Sequence, residues 1–275
     1  MRHVLSLGAG VQSSALLLLS VQGLLPKLEV AIFADTGWEP KEVYIHLDRL
    51  KAIAADAGIP VVTVSNGNIR DQYLEGGRFA SIPLHVIDEN GHKGMVRRQC
   101  TREFKIEPIE RYMRRELLGL GYRERAPREP QFHQWMGITH DEMVRAKQSR
   151  DKWKLHRFPF LGDILHDPML PKPWKRGDCI AYLEDQWPSL TVPRSACIGC
   201  PYHSNHEWSR IKEDPESWAD AVAFDKAIRT QKGLEGEAFL HQSCRPLDQV
   251  DLRSDVERGQ GLLSFMDECD GMCGV

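Results

Sequence analysis

The sequence predicts an α/β fold in which a doubly wound parallel sheet is followed by a Cys-containing C-terminal extension. Three short apolar runs alternate with two helical stretches in the first 64 residues, and the connections between them are short. Strands and helices that alternate in this way form a parallel sheet with helices on both faces. The ligand of such a sheet binds beyond the carboxyl ends of its strands.

The apolar runs predict strands over 3–7, 28–33 and 60–64, and the stretches between them predict helices over 15–22 and 41–57. Further elements follow: a mobile loop over 66–95, a charged helix over 102–118, a strand over 131–138, and helices over 141–149, 178–186 and 219–232. We place the domain boundary at residue 190. Residues 1–190 form the α/β domain, and residues 191–275 form a Cys-rich extension with a mobile tail.

Composition limits the class of protein. A chain of 275 residues with 41% hydrophobic and 27% charged residues suits one large domain, or a domain with a subdomain. It contains no apolar run of eighteen residues, so we expect no membrane span. Its seven cysteines are unevenly placed, which is unlike a secreted disulfide framework and predicts a cytoplasmic protein.

Charge is distributed unevenly along the chain. Residues 97–157 hold sixteen Lys or Arg against nine Asp or Glu, whereas residues 212–275 hold seven against fourteen. The basic segment is either a set of solvated helix faces or a surface that meets nucleotide phosphate or nucleic acid.

A glycine-containing turn joins the first strand to the first helix. Backbone N–H groups of glycines approach phosphate oxygens closely, and a helix N-terminus adds partial positive charge. Serine hydroxyls add further donors. The candidate phosphate-binding residues are Ser6, Gly8, Ala9, Gly10, Gln12, Ser13 and Ser14. A glycine turn without a ligand is the alternative, since the turn has neither the Lys of a Walker loop nor the third glycine of a dinucleotide fingerprint.

Several motifs carry a family resemblance. Gly8-Ala-Gly-Val-Gln-Ser13 resembles the Ser-Gly-Gly-x-Asp-Ser loop of PP-loop ATP pyrophosphatases. Ala34-Asp-Thr-Gly37 is similar to the second-strand motif of the phosphoadenosine phosphosulfate (PAPS) and adenosine phosphosulfate (APS) reductases. Three later stretches resemble segments of the same reductases: Cys100 to Ile109, Trp135 to Arg145, and Pro173 to Leu183.

The chain thus resembles the PP-loop (adenine nucleotide alpha-hydrolase-like) superfamily. Within it, the PAPS-reductase-like family is the most similar, near the iron–sulfur APS reductases and the DNA phosphorothioation sulfurtransferases. The resemblance implies a HUP/Rossmann-like sheet that binds ATP or a related adenine nucleotide with Mg²⁺. Besides the loop, it implies nucleotide contacts at Asp35, Thr36, Gly37, Gly137, Ile138 and Arg145.

Two positions depart from the family pattern. Gln12 stands where the loop usually carries Asp, so one carboxylate near Mg²⁺ or phosphate is missing. Thr139 stands where the reductases carry an Arg, and a threonine cannot clamp a sulfate in a bidentate way. Both departures argue against APS or PAPS as the substrate, but not against an adenine nucleotide.

Three cysteines have the spacing of a metal site. Cys197-x-x-Cys200, far downstream of Cys100, is similar to the cluster motif of the APS reductases and implies a [4Fe–4S] cluster. Its fourth iron is either ligated by another residue, with Cys179 as the candidate, or open to a sulfide. A structural zinc site that also uses His203 and His206 is one alternative, and simple buried thiols are another.

The C-terminal Cys269 and Cys273 resemble in placement the mobile Glu-Cys-Gly ending of the reductases and would carry sulfur as a persulfide; an inert terminus is the alternative. Lys105, near Arg102, is a candidate catalytic residue that would contact phosphates, or is merely solvated.

The resemblance implies a sulfurtransferase that uses the cluster and is supplied by a sulfur donor, such as a cysteine desulfurase or a thioredoxin-like reductant. Its acceptor is open, with tRNA or DNA permitted, and an oligomer is possible. An APS or PAPS reductase that releases sulfite is the alternative, and a nucleotide-binding module with structural zinc is a second.

Overall fold

Five parallel strands form the central sheet in the computed structural model of the protein, which describes residues 1–75, 82–165, 169–230, 234 and 236–253. The strands in chain order are β1 (Arg2–Leu7), β2 (Val30–Asp35), β3 (Val61–Ser65), β4 (His85–Ile87), β5 (Lys93–Met95), β6 (Phe132–Trp135), β7 (Lys154–Arg157) and β8 (Glu237–Phe239). The central sheet has the order β3-β2-β1-β6-β7, and its neighbouring strands pair in parallel. The predicted parallel sheet is therefore confirmed.

The α-helices are α1 (Val11–Val21), α2 (Lys41–Asp56), α3 (Ile69–Leu74), α4 (Glu107–Tyr112), α5 (Arg176–Gln186), α6 (Asn205–Glu213) and α7 (Pro215–Ala227). Wider turns of π-helix over Arg102–Ile106 and Met113–Leu117 extend α4 at both ends, so residues 102–117 form one continuous helical stretch. Short 3₁₀ segments cover His140–Arg145, Pro159–Leu165 and Leu247–Gln249.

Helices cover both faces of the central sheet. On one face, α1, α2 and α5 pack on the strands in a core that includes Leu5, Leu16, Phe33, Leu47 and Leu183. On the other face, the stretch around α4 packs in a core that includes Val4, Ile32, Ile109, Met113 and Phe132. Alternate residues of a strand point to opposite faces, which is why Val4 and Leu5 lie in different cores. This two-sided cover makes the fold doubly wound.

A second, antiparallel sheet has the order β5-β4-β8 and lies beside a third core. That core joins Trp38 and Phe104 to Trp208 and Phe224. Residues on both sides of position 190 therefore share one core, although the division of the chain there stays a prediction. Residues 254–275, and with them the tail, lie outside the described residues.

Some predicted elements are wrong. The segment 66–95, predicted to be a loop, contains α3, β4 and β5. Strands of three residues are too short to show a period-2 pattern, and β4 pairs with β8, about 150 residues later in the chain. The predicted helix over 141–149 is a single 3₁₀ segment, and β7 and α6 have no counterpart among the predicted elements.

Candidate functional site

The candidate site lies at the carboxyl edge of the central sheet, where β1, β2 and β6 end side by side. Their following loops begin at Gly8, Thr36 and Met136. A Cβ added to Gly137 would lie 3.1 Å from the backbone nitrogen of Ser13 and 3.2 Å from Cβ of Gln12, so the loop after β6 touches the start of α1. The structure thus brings the predicted β1 and β6 residues together.

The β1 loop directs backbone amides toward one point. The N–H groups of Gly8 and Gly10 both donate to Oγ of Ser13, each over 3.2 Å, and Ala9 between them has a positive φ of 56°. The hydroxyl of Ser13 also donates to the carbonyl of Gly10. Two amides that converge at a helix N-terminus suit an anionic oxygen, which would take the place of this hydroxyl.

Ser6 and Ser14 are turned away from that point. Oγ of Ser14 lies 2.8 Å from Nε2 of His46 in the interior, and Ser14 has no exposed surface. Burial lowers the pKa of His46 to about 4, so the imidazole is neutral at pH 7. Oγ of Ser6 accepts a hydrogen bond of 2.8 Å from the amide of Gln134. Both hydroxyls therefore have partners within the protein. The predicted contact of Ser6 and Ser14 with phosphate stays a prediction.

Arg176, which the sequence analysis did not single out, lies beside the β1 loop. Its Nη1 donates to Oε1 of Gln12 over 3.2 Å, and its backbone N–H lies 3.3 Å from the carboxylate oxygens of Asp141. It is the first residue of α5. Position 12 therefore has a neutral amide next to a cation. Arg145 is paired with Glu142 over 2.9 Å.

The β2 loop turns sharply at Gly37, which has a φ of +70°. Its N–H donates to Oδ1 of Asp35 over 2.8 Å, and the Tyr44 hydroxyl donates to the same oxygen over 2.9 Å. A Cβ at Gly37 would lie 2.9 Å from Cα of Asn68, so a side chain is excluded there. Burial and the Asp35 carboxylate raise the pKa of Tyr44, which keeps its proton on the hydroxyl.

Cys100, Cys197 and Cys200 line one cavity, which opens to solvent. Thr36 and Lys105 line it too. The structure therefore brings together the three predicted metal ligands, one predicted nucleotide residue and the predicted catalytic lysine. It also brings in Arg98, which the sequence analysis did not single out.

A buried carboxylate connects these groups. Oε1 of Glu39 accepts a hydrogen bond from the Thr36 hydroxyl over 3.0 Å and lies 3.7 Å from both Nζ of Lys105 and Sγ of Cys197. The Thr36 hydroxyl is itself 3.2 Å from Sγ of Cys197. The Glu39 side chain is 1% exposed. A buried glutamate is unusual unless it is paired. The one sequence signal for Glu39 is its position, two residues after the β2 motif.

The cysteine segment is fixed to both loops. The N–H of Ile198 donates to the carbonyl of Trp38 over 2.8 Å. A Cβ on Gly199 would lie 2.0 Å from the Trp38 ring, and a Cβ on Gly10 would lie 3.3 Å from Cβ of Ser195. The segment 195–200 therefore packs against the β1 loop at one end and the β2 loop at the other.

Cys179 is not brought to the cavity. It is fully buried on α5 in the core beside α1, where burial raises the pKa of its thiol. His203 points Nε2 at the carbonyl of Cys197, 2.9 Å away, and burial lowers its pKa to about 4, while His206 is exposed on α6.

In the part of the chain that the structure describes, no three His, Cys, Asp or Glu side chains converge on one point as ligands of a single ion. Thiolates around a cavity suit a cluster, whose irons each take a different ligand.

The predicted sulfur carriers Cys269 and Cys273 lie outside the described residues. Among the described helices, none combines the length and the apolar character that crossing a bilayer requires. No family model matches the chain, and no curated protein matches it.

Proposed function

We propose that the chain is an enzyme of the PP-loop type, with a HUP/Rossmann-like sheet, that binds ATP or a related adenylyl nucleotide and transfers sulfur to an acceptor. The observation that carries this proposal is the contact of 3.2 Å between the Thr36 hydroxyl and Sγ of Cys197. It joins the loop where the resemblance places a nucleotide to the cavity that holds three thiols. An enzyme that activates an acceptor with a nucleotide and then delivers sulfur needs the two sites adjacent.

In the nucleotide half of the proposed site, the amides of Gly8 and Gly10 beside the start of α1 would hold the phosphates, and Mg²⁺ would offset part of their charge. Arg176 supports this arrangement, because its guanidinium stands within hydrogen-bonding distance of Gln12 in the same loop. A cation there compensates phosphate charge, which an Asp at position 12 would oppose. With ATP, the chemistry is adenylation of an acceptor oxygen, which turns that oxygen into a leaving group for sulfur.

In the sulfur half, Cys100, Cys197 and Cys200 would hold an iron–sulfur cluster. The donor set fits, since three soft thiol ligands line one cavity and the Lys105 ammonium beside them offsets thiolate charge. Because Cys179 is enclosed in a separate core, the proposal gives the cluster three cysteine ligands. Such a cluster supplies an iron that is open to an external sulfur ligand.

The tail and the partners complete the proposal. Cys269 and Cys273 would carry sulfur from a donor protein, such as a cysteine desulfurase, and a thioredoxin-like protein would reduce them. The basic residues between positions 97 and 157 would meet the phosphates of a tRNA or DNA acceptor. Both assignments place the enzyme in the cytoplasm.

Metal analysis of anaerobically purified protein tests the sulfur half. We expect about four irons per chain. Cys197→Ala should lose them, whereas Cys179→Ala should keep them, because its thiol lies in the core and not at the cavity. Stoichiometric zinc without iron would contradict the cluster and favour a structural metal.

A product assay tests the reaction. Release of pyrophosphate from ATP in the presence of acceptor is expected. Release of sulfite from APS or PAPS, without turnover of ATP, would contradict sulfur transfer and identify a reductase instead.

A further inference from the structure

Arg98 occupies an unusual position in the cavity of the three cysteines. Its guanidinium lies over the ring of Tyr202, 5.5 Å from the ring centre, and both side chains line the cavity. Its Nε atom is buried and has no hydrogen-bond acceptor among the described residues. Arg98 as a whole is half-buried, but a buried N–H of a guanidinium that lacks an acceptor is costly, and an anion at that position would supply one.

The surroundings favour an external anion. Lys105, the cavity's other cation, already lies 3.7 Å from the Glu39 carboxylate. Much of the remaining wall is apolar, including Trp38, Ile69 and Pro201. A guanidinium presents its N–H groups in a planar fork, and that of Arg98 lies 5.5 Å from the centre of the Tyr202 ring. A low-polarity wall strengthens each contact that the guanidinium makes.

We propose that the part of this cavity lined by Arg98 and Tyr202, beside the three cysteines, is a binding site for a small tetrahedral oxyanion, recognised by Arg98 and oriented by the Tyr202 ring. The fork of a guanidinium matches two oxygens of a sulfate-like or phosphate-like group. The oxyanion site stands on Arg98 and the cavity alone. That its natural ligand carries sulfur rests on the proposed function, because three thiols line the same space.

Calorimetry on the full-length chain, prepared anaerobically and with its metal content measured, tests the site. The probes are thiosulfate, sulfate and phosphate, each added alone. We expect saturable binding at one site per chain, and we expect Arg98→Gln to weaken it about ten- to a hundredfold. Arg98→Lys should restore only part of the affinity, since it keeps the charge and loses the fork.

Arg97→Gln is the matched control, because Arg97 is the exposed neighbour in sequence and does not line the cavity. It should leave the affinity unchanged. Equal losses in the Arg97 and Arg98 variants would show binding by general positive charge and overturn the proposal. Absence of oxyanion binding, or equally tight binding of planar acetate, would overturn it too.

Tyr202→Leu provides an independent test that leaves the charge intact. It removes the ring under the guanidinium, so a several-fold loss of oxyanion affinity is expected, and it carries the test if Arg98→Gln does not fold. An unchanged affinity would exclude the orienting role of the ring.

Two comparisons complete the test. The first distinguishes a sulfur oxyanion from phosphate as the ligand, and the second distinguishes this inference from the proposed function. Thiosulfate bound more tightly than phosphate supports a sulfur substrate, and the reverse order overturns that part. ATP binding is measured on the same samples. Bound ATP without oxyanion binding refutes this inference alone, whereas oxyanion binding without ATP refutes the proposed function alone.

Discussion

Replacing Gly199 with alanine should both destabilise the protein and displace the cysteines that line its cavity. The new Cβ would lie 2.0, 2.5 and 2.9 Å from three atoms of the Trp38 ring. To regain an ordinary contact of 3.4 Å, the ring or the turn must move by about 1.4 Å. The ring is 4% exposed, packs edge-on against Phe224 and donates from Nε1 to Asp220 over 2.6 Å, so it has little freedom to move.

Overpacking of a core costs about 1–3 kcal/mol, and a strained hydrogen bond to a carboxylate adds about 1 kcal/mol. We therefore expect Gly199→Ala to lower the free energy of unfolding by about 2–4 kcal/mol in a denaturant titration. Because Gly199 lies between Cys197 and Cys200, the displaced turn should also lower the metal content of the purified protein. The double variant Gly199→Ala/Trp38→Leu should lose less unfolding free energy than the sum of the losses in the two single variants.

Gly177→Ala is the matched control for this substitution. Gly177 lies in the first turn of α5, and a Cβ there would meet nothing within 4 Å. It should be neutral or stabilising by up to about 1 kcal/mol. A Gly199→Ala protein whose unfolding free energy lies within about 0.5 kcal/mol of the wild-type value would refute the packing of Trp38 on this turn.

Three further predictions concern the loop, the buried histidine and the tail. Gly10→Val should weaken ATP binding at least about tenfold in calorimetry, because its side chain meets Ser195 and blocks the converging amides; unchanged affinity would contradict the loop assignment. The pKa of His46 is about 4 in the folded chain and 6.5 in the unfolded chain. Between these two pH values, only the unfolded chain binds the proton. The free energy of unfolding should therefore fall by up to about 3 kcal/mol between pH 6.5 and 4, and His46→Gln should remove that part of the slope; an identical slope in the variant would exclude His46 as its source. Deleting residues 267–275 should leave ATP affinity within about twofold but abolish sulfur transfer, since both tail thiols are lost, and full-rate turnover by the truncated protein would show that the tail is inert.

The sequence predicted β1, β2 and β3 of the central sheet well, for a physical reason, but it missed β7. Buried parallel strands are continuous apolar runs, and glycines end them, so β1, β2 and β3 were visible with errors of one or two residues. The antiparallel sheet was missed because β4 and β8 lie about 150 residues apart in the chain and each has only three residues. Their pairing depends on tertiary packing, which no local pattern records.

The residues of the candidate site likewise divide into those that the sequence revealed and those that it did not. Motif positions such as Gly8, Thr36 and Cys197 have distinctive residue types, and the structure places them at one edge of the sheet. Glu39 and Arg176 were missed, because a lone charged residue looks solvated until its partners are known. Cys179 was assigned to the cavity by counting thiols, whereas its position on the inward face of α5 places it in the core.

The segment 195–200 connects the nucleotide half of the proposed site to its sulfur half, because it contacts both the β1 loop and the β2 loop. Its alternate residues meet the two loops in turn: Ser195 faces Gly8 and Gly10, Cys197 lies beside Thr36, and Gly199 lies under Trp38. The Trp38 end is anchored in a core and by the hydrogen bond from Ile198, whereas the Ser195 end faces the loop where phosphate would bind. A ligand that enters the β1 loop would therefore contact the Ser195 end of the segment. Since Cys197 is two residues from that end, we expect the position of its thiol to depend on whether the loop is filled.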